Sequence, residues 1–425
     1  MNIADAPVLT LADLAAWSRP GTALAVLGHP IKHSLSPRMH NAALAELAQA
    51  DARFADWHYV RFEIHPDDLP RALDLLHAKK FRGVNLTVPH KIIAFDRVAE
   101  IDPAARPVGA VNTLRWTERG WHGFNTDGYG LASAVQATLG RDLAGAHVIL
   151  LGAGGAARGA AVECLQRRCA SLWIANRTRA TLDSLLAALA PVAQGVPFHG
   201  FASAAPPADL PAGALVINAT SAGLRPTDEP PADLTALPHV AAVFDMIYNP
   251  PETPLLRQAA FLGQPHAHGL AMLVHQGAKS LEHWSGIPAA QTAPTMAVAA
   301  RAALGLVGLA GLALLDEPGV LGKPARIQEQ QQTGPIASGS YGSKVLERDG
   351  LSASGIVGDG DHAKGNVLGP DSLDDIPQIC AERAIFGAGV TDHERIAKIK
   401  GRFGHLLQQI PSGLNYSFFP IFFLP

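Results

Sequence analysis

Residues 148–158 read VILLGAGGAAR, an apolar run that passes directly into a glycine-rich turn and then into small residues. Gly152, Gly154 and Ala157 occupy the three positions of a GxGxxG/A fingerprint. The first glycine permits a tight turn, the second lets a pyrophosphate approach the backbone, and the small third residue lets the helix pack closely. A glycine turn can also merely join a strand to a helix, so the next strand carries the decision. Ser171 to Ala175 is followed by Asn176, Arg177 and Thr178, where an NAD site would place Asp or Glu for the ribose hydroxyls. A guanidinium holds a 2′-phosphate through charge-assisted bonds, so Arg177 favours NADP.

Outward from this turn, the pattern continues as a helix near 156–168 and strands at Leu215 to Asn218 and Val243 to Met246. Upstream, Leu24 to Leu27, Trp57 to Phe62 and Gly83 to Val88 read as strands, separated by helical patterns at about 37–49 and 67–79. Such alternation implies a parallel sheet covered by helices. From about Met272 to Leu315 the pattern is helical, suiting a closing segment that packs back on the first section. Arg301 interrupts the stretch Met296 to Leu315, which falls short of the roughly 20 apolar residues of a membrane span and reads as a buried terminal helix.

The expected fold class is α/β, with two open α/β domains, the second a Rossmann-type dinucleotide-binding domain, and a mostly irregular C-terminal tail. The boundaries are an N-terminal extension over 1–21, a substrate-binding domain over 22–126 completed by helices in 270–305, an NADP-binding domain over 127–269, and a tail over 306–425. In the tail, Gln330 to Gln332 and a Gly-, Ser- and Asp-rich stretch through Gly369 read as linker or disorder. Thr391 with Glu394 makes a capping box, and Ile396, Ile399, Phe403, Leu406, Leu407 and Ile410 share one face of a helix near 391–410. Phe418 to Pro425 is apolar but too short to span a bilayer.

The totals agree with a globular chain. The 425 residues are 48% hydrophobic and 17% charged, enough for two cores, and a net charge of -3 with scattered basic residues leaves no footprint for nucleic acid or an anionic membrane. Partners are expected to be a small-molecule substrate or a second copy of the chain in a homodimer. Cys164, Cys169 and Cys380 form no CxxC or metal-ligand spacing, which suits a reducing compartment, without structural disulfide or metal. The N-terminus carries Asp5 and Asp13 and lacks the pattern of a secretory signal, so a cytoplasmic location is expected.

Several polar clusters lie near the ends of the first strands. In HSLSP, residues 33–37, Ser36 reads as an N-cap and Pro37 as the first helical residue, so a helix N-terminus with Ser34 and Ser36 can receive a carboxylate. In GVNLTVPHK, residues 83–91, Asn85 and Thr87 project from one face of the strand, and Val84, Leu86 and Val88 from the other. Pro89 ends the strand and places Lys91 just beyond its C-terminal end, where ligands of open α/β sheets bind. Asn112 and the FNTDGYG stretch, residues 124–130 with Asn125, Thr126 and Asp127, add amides, hydroxyls and a carboxylate. Taken singly, each is a turn, a cap or a surface charge; together they suggest a pocket for a small polyol acid.

The ordered series HSLSP, NLTVPHK, AVNT, FNTDGYG, GAGGAAR, NRT, NATSAG, DMIYNPPETPLL and GLAMLVHQGAKSLEHW resembles the shikimate dehydrogenases over about residues 22–305. The resemblance implies two domains, NADP as cofactor and reversible reduction of 3-dehydroshikimate to shikimate in aromatic amino acid biosynthesis. It implies Lys91 and Asp127 as the catalytic pair, Ser34, Ser36 and Tyr248 at the substrate carboxylate, and Asn85, Thr87, Asn112 and Gln276 at its hydroxyls. On the cofactor side it implies Gly152, Gly154, Gly155 and Ala156 at the pyrophosphate, Asn176, Arg177 and Thr178 around the 2′-phosphate, and Thr220, Met246 and Gly269 near the nicotinamide. NADP-dependent members commonly carry a further arginine where this chain has Thr181, so the preference rests on Arg177, with Arg179 nearby. The alternatives are a quinate/shikimate dehydrogenase using NAD(P) and a non-catalytic sensor of pathway metabolites.

Overall fold

The structure, a computed structural model, describes residues 7–225 and 227–306. The first section runs β1 (Val8–Leu9), α1 (Leu11–Ala15), β2 (Ala23–Gly28), α2 (Ser36–Ala50), β3 (His58–Glu63), α3 (Leu69–Ala78), β4 (Gly83–Leu86), the single turn α4 (His90–Ile93), β5 (Glu100–Ile101), β6 (Thr113–Thr117) and β7 (Gly120–Phe124). The second runs α5 (Asp127–Leu139), β8 (His147–Leu151), α6 (Gly155–Gln166), β9 (Ser171–Asn176), α7 (Arg179–Leu189), β10 (Phe198–Ala202), β11 (Ala214–Asn218), β12 (Val240–Asp245), α8 (Pro254–Phe261) and β13 (His266–His268). Two helices close the described chain, α9 (Leu270–Ser285) and α10 (Ala289–Ala303).

Each sheet is covered on both faces, and the strands show why. In β2, Ala23, Ala25 and Leu27 join the core under α1 and α3, while Leu24 and Val26 join the core under α2, α9 and α10. In β8, Val148 and Leu150 face α5, α6 and α7, and Ile149 and Leu151 face the α8 side. A strand apolar on both faces is the pattern of a buried sheet between two helical layers. The last helices therefore return to the first sheet. Met296, in α10, is fully buried, and the remainder of the expected terminal helix beyond residue 306 lies outside the described residues. The tail expectations, including Cys380 and the helix near 391–410, also lie outside them.

The first sheet has the order β1-β3-β2-β4-β6-β7-β5. Its β1, β3, β2 and β4 are parallel, but β6 pairs antiparallel with both β4 and β7. The expected all-parallel sheet is thus corrected to a mixed one. Only Glu118 and Arg119 separate β6 from β7, a connection that allows a hairpin and no crossover helix. The stretch read as an N-terminal extension over 1–21 adds an edge strand and a helix here: β1 pairs with β3, and Leu14 of α1 is fully buried. Strand β4 ends at Leu86 rather than Val88; Thr87 turns away, and Val88 is 71% exposed instead of facing the core.

The second sheet is entirely parallel, in the order β10-β9-β8-β11-β12-β13. Numbered within the domain this is 3-2-1-4-5-6, whose order reverses between β8 and β11, the crevice where dinucleotides bind. At that crevice Gly152 adopts φ +108°, and a Cβ there would lie 2.9 Å from Thr220 Cγ2, so the turns after β8 and β11 meet side by side.

Candidate active site

Beyond β4, the Thr87 amide donates to Leu27 O at 2.9 Å and the His90 amide to Thr87 O at 2.8 Å, folding the chain into the α4 turn that carries Lys91. The carbonyl of Lys91 accepts from the Val111 amide at 3.0 Å, which ties this turn to the segment leading into β6. Asp127 is the first residue of α5, and its amide is held by Asn125 Oδ1 at 3.0 Å. The two elements bring Lys91 Nζ to 2.6 Å from Asp127 Oδ2, with the side chains 29% and 23% exposed.

Asn112 completes the centre. Its Nδ2 donates to Asp127 Oδ1 at 2.8 Å and to Thr126 Oγ1 at 3.0 Å, and approaches Gln276 Oε1 at 3.5 Å. Its Oδ1 accepts from the Thr126 amide at 2.8 Å and the Thr113 hydroxyl at 2.9 Å. Lys91, Asn112, Asp127 and Gln276, from four separate segments, therefore converge. Gln276 reaches this point because α5 and α9 cross closely at Gly130, where a Cβ would lie 2.8 Å from both Met272 O and Gln276 Cβ.

Asn85 was expected at a substrate hydroxyl, yet it is only 6% exposed and its amide is engaged within the protein. Nδ2 donates to Ser280 Oγ at 2.9 Å and to Asn112 O and Thr113 Oγ1 at 3.1 Å, and Oδ1 accepts from the Tyr59 hydroxyl at 2.8 Å. Neither Tyr59 nor Ser280 was singled out in the sequence reading. A tyrosine in an apolar strand reads as core, and the one signal for Ser280 is its position four residues after Gln276, on the same helical face.

At the α2 end, Ser36 is not the cap: Leu35 holds that position, Ser36 is the first helical residue, and Pro37 follows it. Ser34 Oγ accepts the Ser36 amide at 3.3 Å, so the capping role falls two residues earlier than expected. Both serines remain at the helix N-terminus. Tyr248 packs on the same apolar cluster as Leu35, and burial raises its pKa, keeping its hydroxyl a donor.

The residues expected at the cofactor form a second group at the C-terminal ends of the other sheet. Gly154 caps α6, and Gly154, Gly155 and Ala156 are exposed; a Cβ at either glycine would meet nothing within 4 Å. The exposed N-terminal turn of α6 thus leaves room for an anion against its amides. Asn176 Nδ2 donates to the Thr178 carbonyl at 2.9 Å, and Arg177 is exposed beside them. Arg179 instead holds Asp183 through Nε at 2.9 Å and 3.0 Å. The Thr220 hydroxyl donates to Asn218 Oδ1 at 2.7 Å, the Met246 amide to Asn218 O at 3.0 Å, and the Gly269 amide to Ile247 O at 2.9 Å. A Cβ on Gly269 would lie 2.1 Å from Met246 O, so only glycine fits this ledge. Gly269 also starts α9, which carries Gln276 to the other group seven residues later, about 10 Å along the helix.

Comparison with known proteins agrees with this layout. Residues 26–114 match the family model described as the shikimate dehydrogenase substrate binding domain, and residues 269–297 match the shikimate 5'-dehydrogenase C-terminal domain. The chain is 39% identical to the shikimate dehydrogenase (NADP(+)) of Geobacter metallireducens over 271 residues, covering 62% of this chain and 91% of that protein. It is 41% identical to the enzyme of the same name from Symbiobacterium thermophilum over 275 residues, 63% of this chain and 90% of that one. Among solved structures, the shikimate 5-dehydrogenase of Thermus thermophilus in complex with NADP(H) and shikimate superposes with a TM-score of 0.57 at 34% identity, covering 66% of this chain and 99% of that chain.

Proposed function

The chain belongs to the shikimate dehydrogenase family, and we propose that it catalyses the reversible NADPH-dependent reduction of 3-dehydroshikimate to shikimate. The observation that carries this reading is the Lys91–Asp127 pair at 2.6 Å with Asn112 Nδ2 on the other carboxylate oxygen at 2.8 Å. NADPH supplies the hydride that adds to the C3 carbonyl carbon. Negative charge then develops on the carbonyl oxygen and must be stabilised and protonated. Lys91, as an ammonium, does both, giving its proton to that oxygen. Asp127 keeps the lysine oriented and accepts a hydrogen bond from the neighbouring substrate hydroxyl. Being partly exposed, Lys91 recovers its proton from solvent.

The chain's own residues suit the cofactor. The α6 N-terminus with uncrowded Gly154 and Gly155 would hold the pyrophosphate, and Arg177, with no carboxylate beside it at the end of β9, would hold the 2′-phosphate. Thr220, Met246 and Gly269 would lie at the nicotinamide. Ser34, Ser36 and Tyr248 are assigned to the substrate carboxylate, and Thr87, Asn112 and Gln276 to its hydroxyls, with Asn85 acting behind Asn112. The reading places the enzyme in the cytoplasm, which the free, buried thiols of Cys164 and Cys169 suit.

The test is NADPH oxidation by the purified full-length protein with 3-dehydroshikimate, alongside Lys91→Met. Turnover that is lost in the variant while NADPH affinity persists is the expected result. A folded, NADPH-binding wild type without turnover would overturn the reading. Equal catalytic efficiency with NADH and NADPH would remove Arg177 from cofactor selection.

A further inference from the structure

Tyr59 belongs to no motif that pointed to the site, yet three constraints fix its position. Asn41 Nδ2 donates to its carbonyl and Asn41 Oδ1 accepts from its amide, both at 2.9 Å. The His40 ring lies parallel to the phenol, 4.2 Å between centroids with 1° between planes. Both nitrogens of His40 are buried and without a hydrogen-bond partner among the described residues, and burial holds its pKa down to about 3. A neutral, unbonded imidazole contributes a flat surface here. Helix α2 thus grips Tyr59 with two consecutive side chains.

The phenol has one proton, and Asn85 Oδ1, at 2.8 Å, can only accept it. That bond settles which way the Asn85 amide points: oxygen toward Tyr59, and nitrogen toward Asn112 O, Thr113 Oγ1 and Ser280 Oγ. Asn112 in turn holds Asp127. A buried chain therefore runs from Tyr59 through Asn85 and Asn112 to the carboxylate of the Lys91–Asp127 pair. Burial raises the Tyr59 pKa well above its ordinary value, so the proton stays in place across the working pH range.

We propose that Tyr59 is a positioning residue that sets the substrate-hydroxyl contacts through Asn85 and Asn112, with His40 and Asn41 holding it in register. The role rests on the functional reading above, and its test separates the two. In full-length Tyr59→Phe, which keeps the ring and its stacking, the KM for shikimate should rise about fivefold or more, the effect of one hydrogen bond lost from a positioning chain, with the KM for NADP+ unchanged. His40→Phe, which keeps a flat ring against Tyr59, should stay near wild type, while His40→Ala should shift the shikimate KM in the same direction as Tyr59→Phe. An active wild type whose Tyr59→Phe variant keeps its shikimate KM, or shifts both KM values equally, overturns the positioning role alone. A wild type that does not oxidise shikimate overturns the functional reading and this role with it.

Discussion

Asp127 spends one oxygen on Lys91 and the other on Asn112, so its two bonds have separable consequences. Asp127→Asn keeps a hydrogen-bonding group but removes the charge that orients an ammonium. Turnover should fall by about 10²–10⁴, the usual weight of an acid/base group, while NADPH affinity measured by fluorescence titration stays constant. His40 supports a prediction of another kind. Its pKa is about 3 in the fold, against 6.5 when unfolded, so the folded state favours the neutral form. Its contribution to stability is complete above pH 6.5 and is lost as pH falls toward 3, on the order of 5 kcal/mol over the whole range. His283, lowered to about 4 by burial first and then by Lys279, acts in the same direction. Thermal melts at pH 7 and pH 4.5 should show a large drop in Tm for the wild type and a smaller one for His40→Phe. Equal drops would remove His40 from the acid response. Lys91, Asp127, Asn112 and Gln276 were legible in the sequence because each sits in a short motif of the family. Tyr59 and Ser280 were not, since each is a single polar group in an apolar element whose meaning comes from Asn85, up to 195 residues away.

Helices α5 and α9 cross at a distance that only glycine allows, and this contact, more than any single side chain, places Gln276 beside Asn112. Replacing a glycine inside an exposed helix by alanine normally stabilises by about 1 kcal/mol. At Gly130 the sign should reverse, because the added Cβ would meet the Met272 carbonyl, a backbone atom with little room to yield. Gly130→Ala should cost about 1–3 kcal/mol and raise the KM for shikimate by displacing Gln276. A higher Tm with an unchanged KM would show that the crossing is not tight. At α8, Thr253 caps the helix through the Leu256 amide and also donates to Asp245 Oδ2 at 2.7 Å, where burial raises the carboxyl pKa against the pull of these bonds. Thr253→Ala removes both interactions and should lower stability by about 2 kcal/mol, read from thermal denaturation. Short apolar runs bounded by turn residues made β2, β3, β8 and β9 legible from sequence. The β6–β7 hairpin was missed because its residues mix tryptophan, histidine and arginine, which pair across strands rather than fill two core faces.

Across the described molecule the chain folds into one sheet, then a second, and returns to the first through α9 and α10. That return explains why the expected substrate domain needed a C-terminal completion: Val274, Leu281 and Met296 bury the face of β2 that carries Leu24 and Val26. It also makes α9 the physical link between the two groups of candidate residues, since the helix starts at the Gly269 ledge and holds Gln276 beside Asn112. Every assigned site residue falls between Ser34 and Gln276. The C-terminal end of α10 is closed locally, with the Leu304 amide donating to Ala300 O at 3.3 Å and the Leu306 amide to Arg301 O at 3.0 Å. Neither the cores nor the site, as described, requires a residue beyond that end. A chain lacking residues 317–425 should therefore fold, melt near the wild-type temperature and retain the full-length kcat and KM values for shikimate and NADP+. Loss of turnover in a truncated protein that still melts cooperatively would mean that the C-terminal segment contributes to the reaction, and would assign it a role that the geometry of residues 34–276 does not supply.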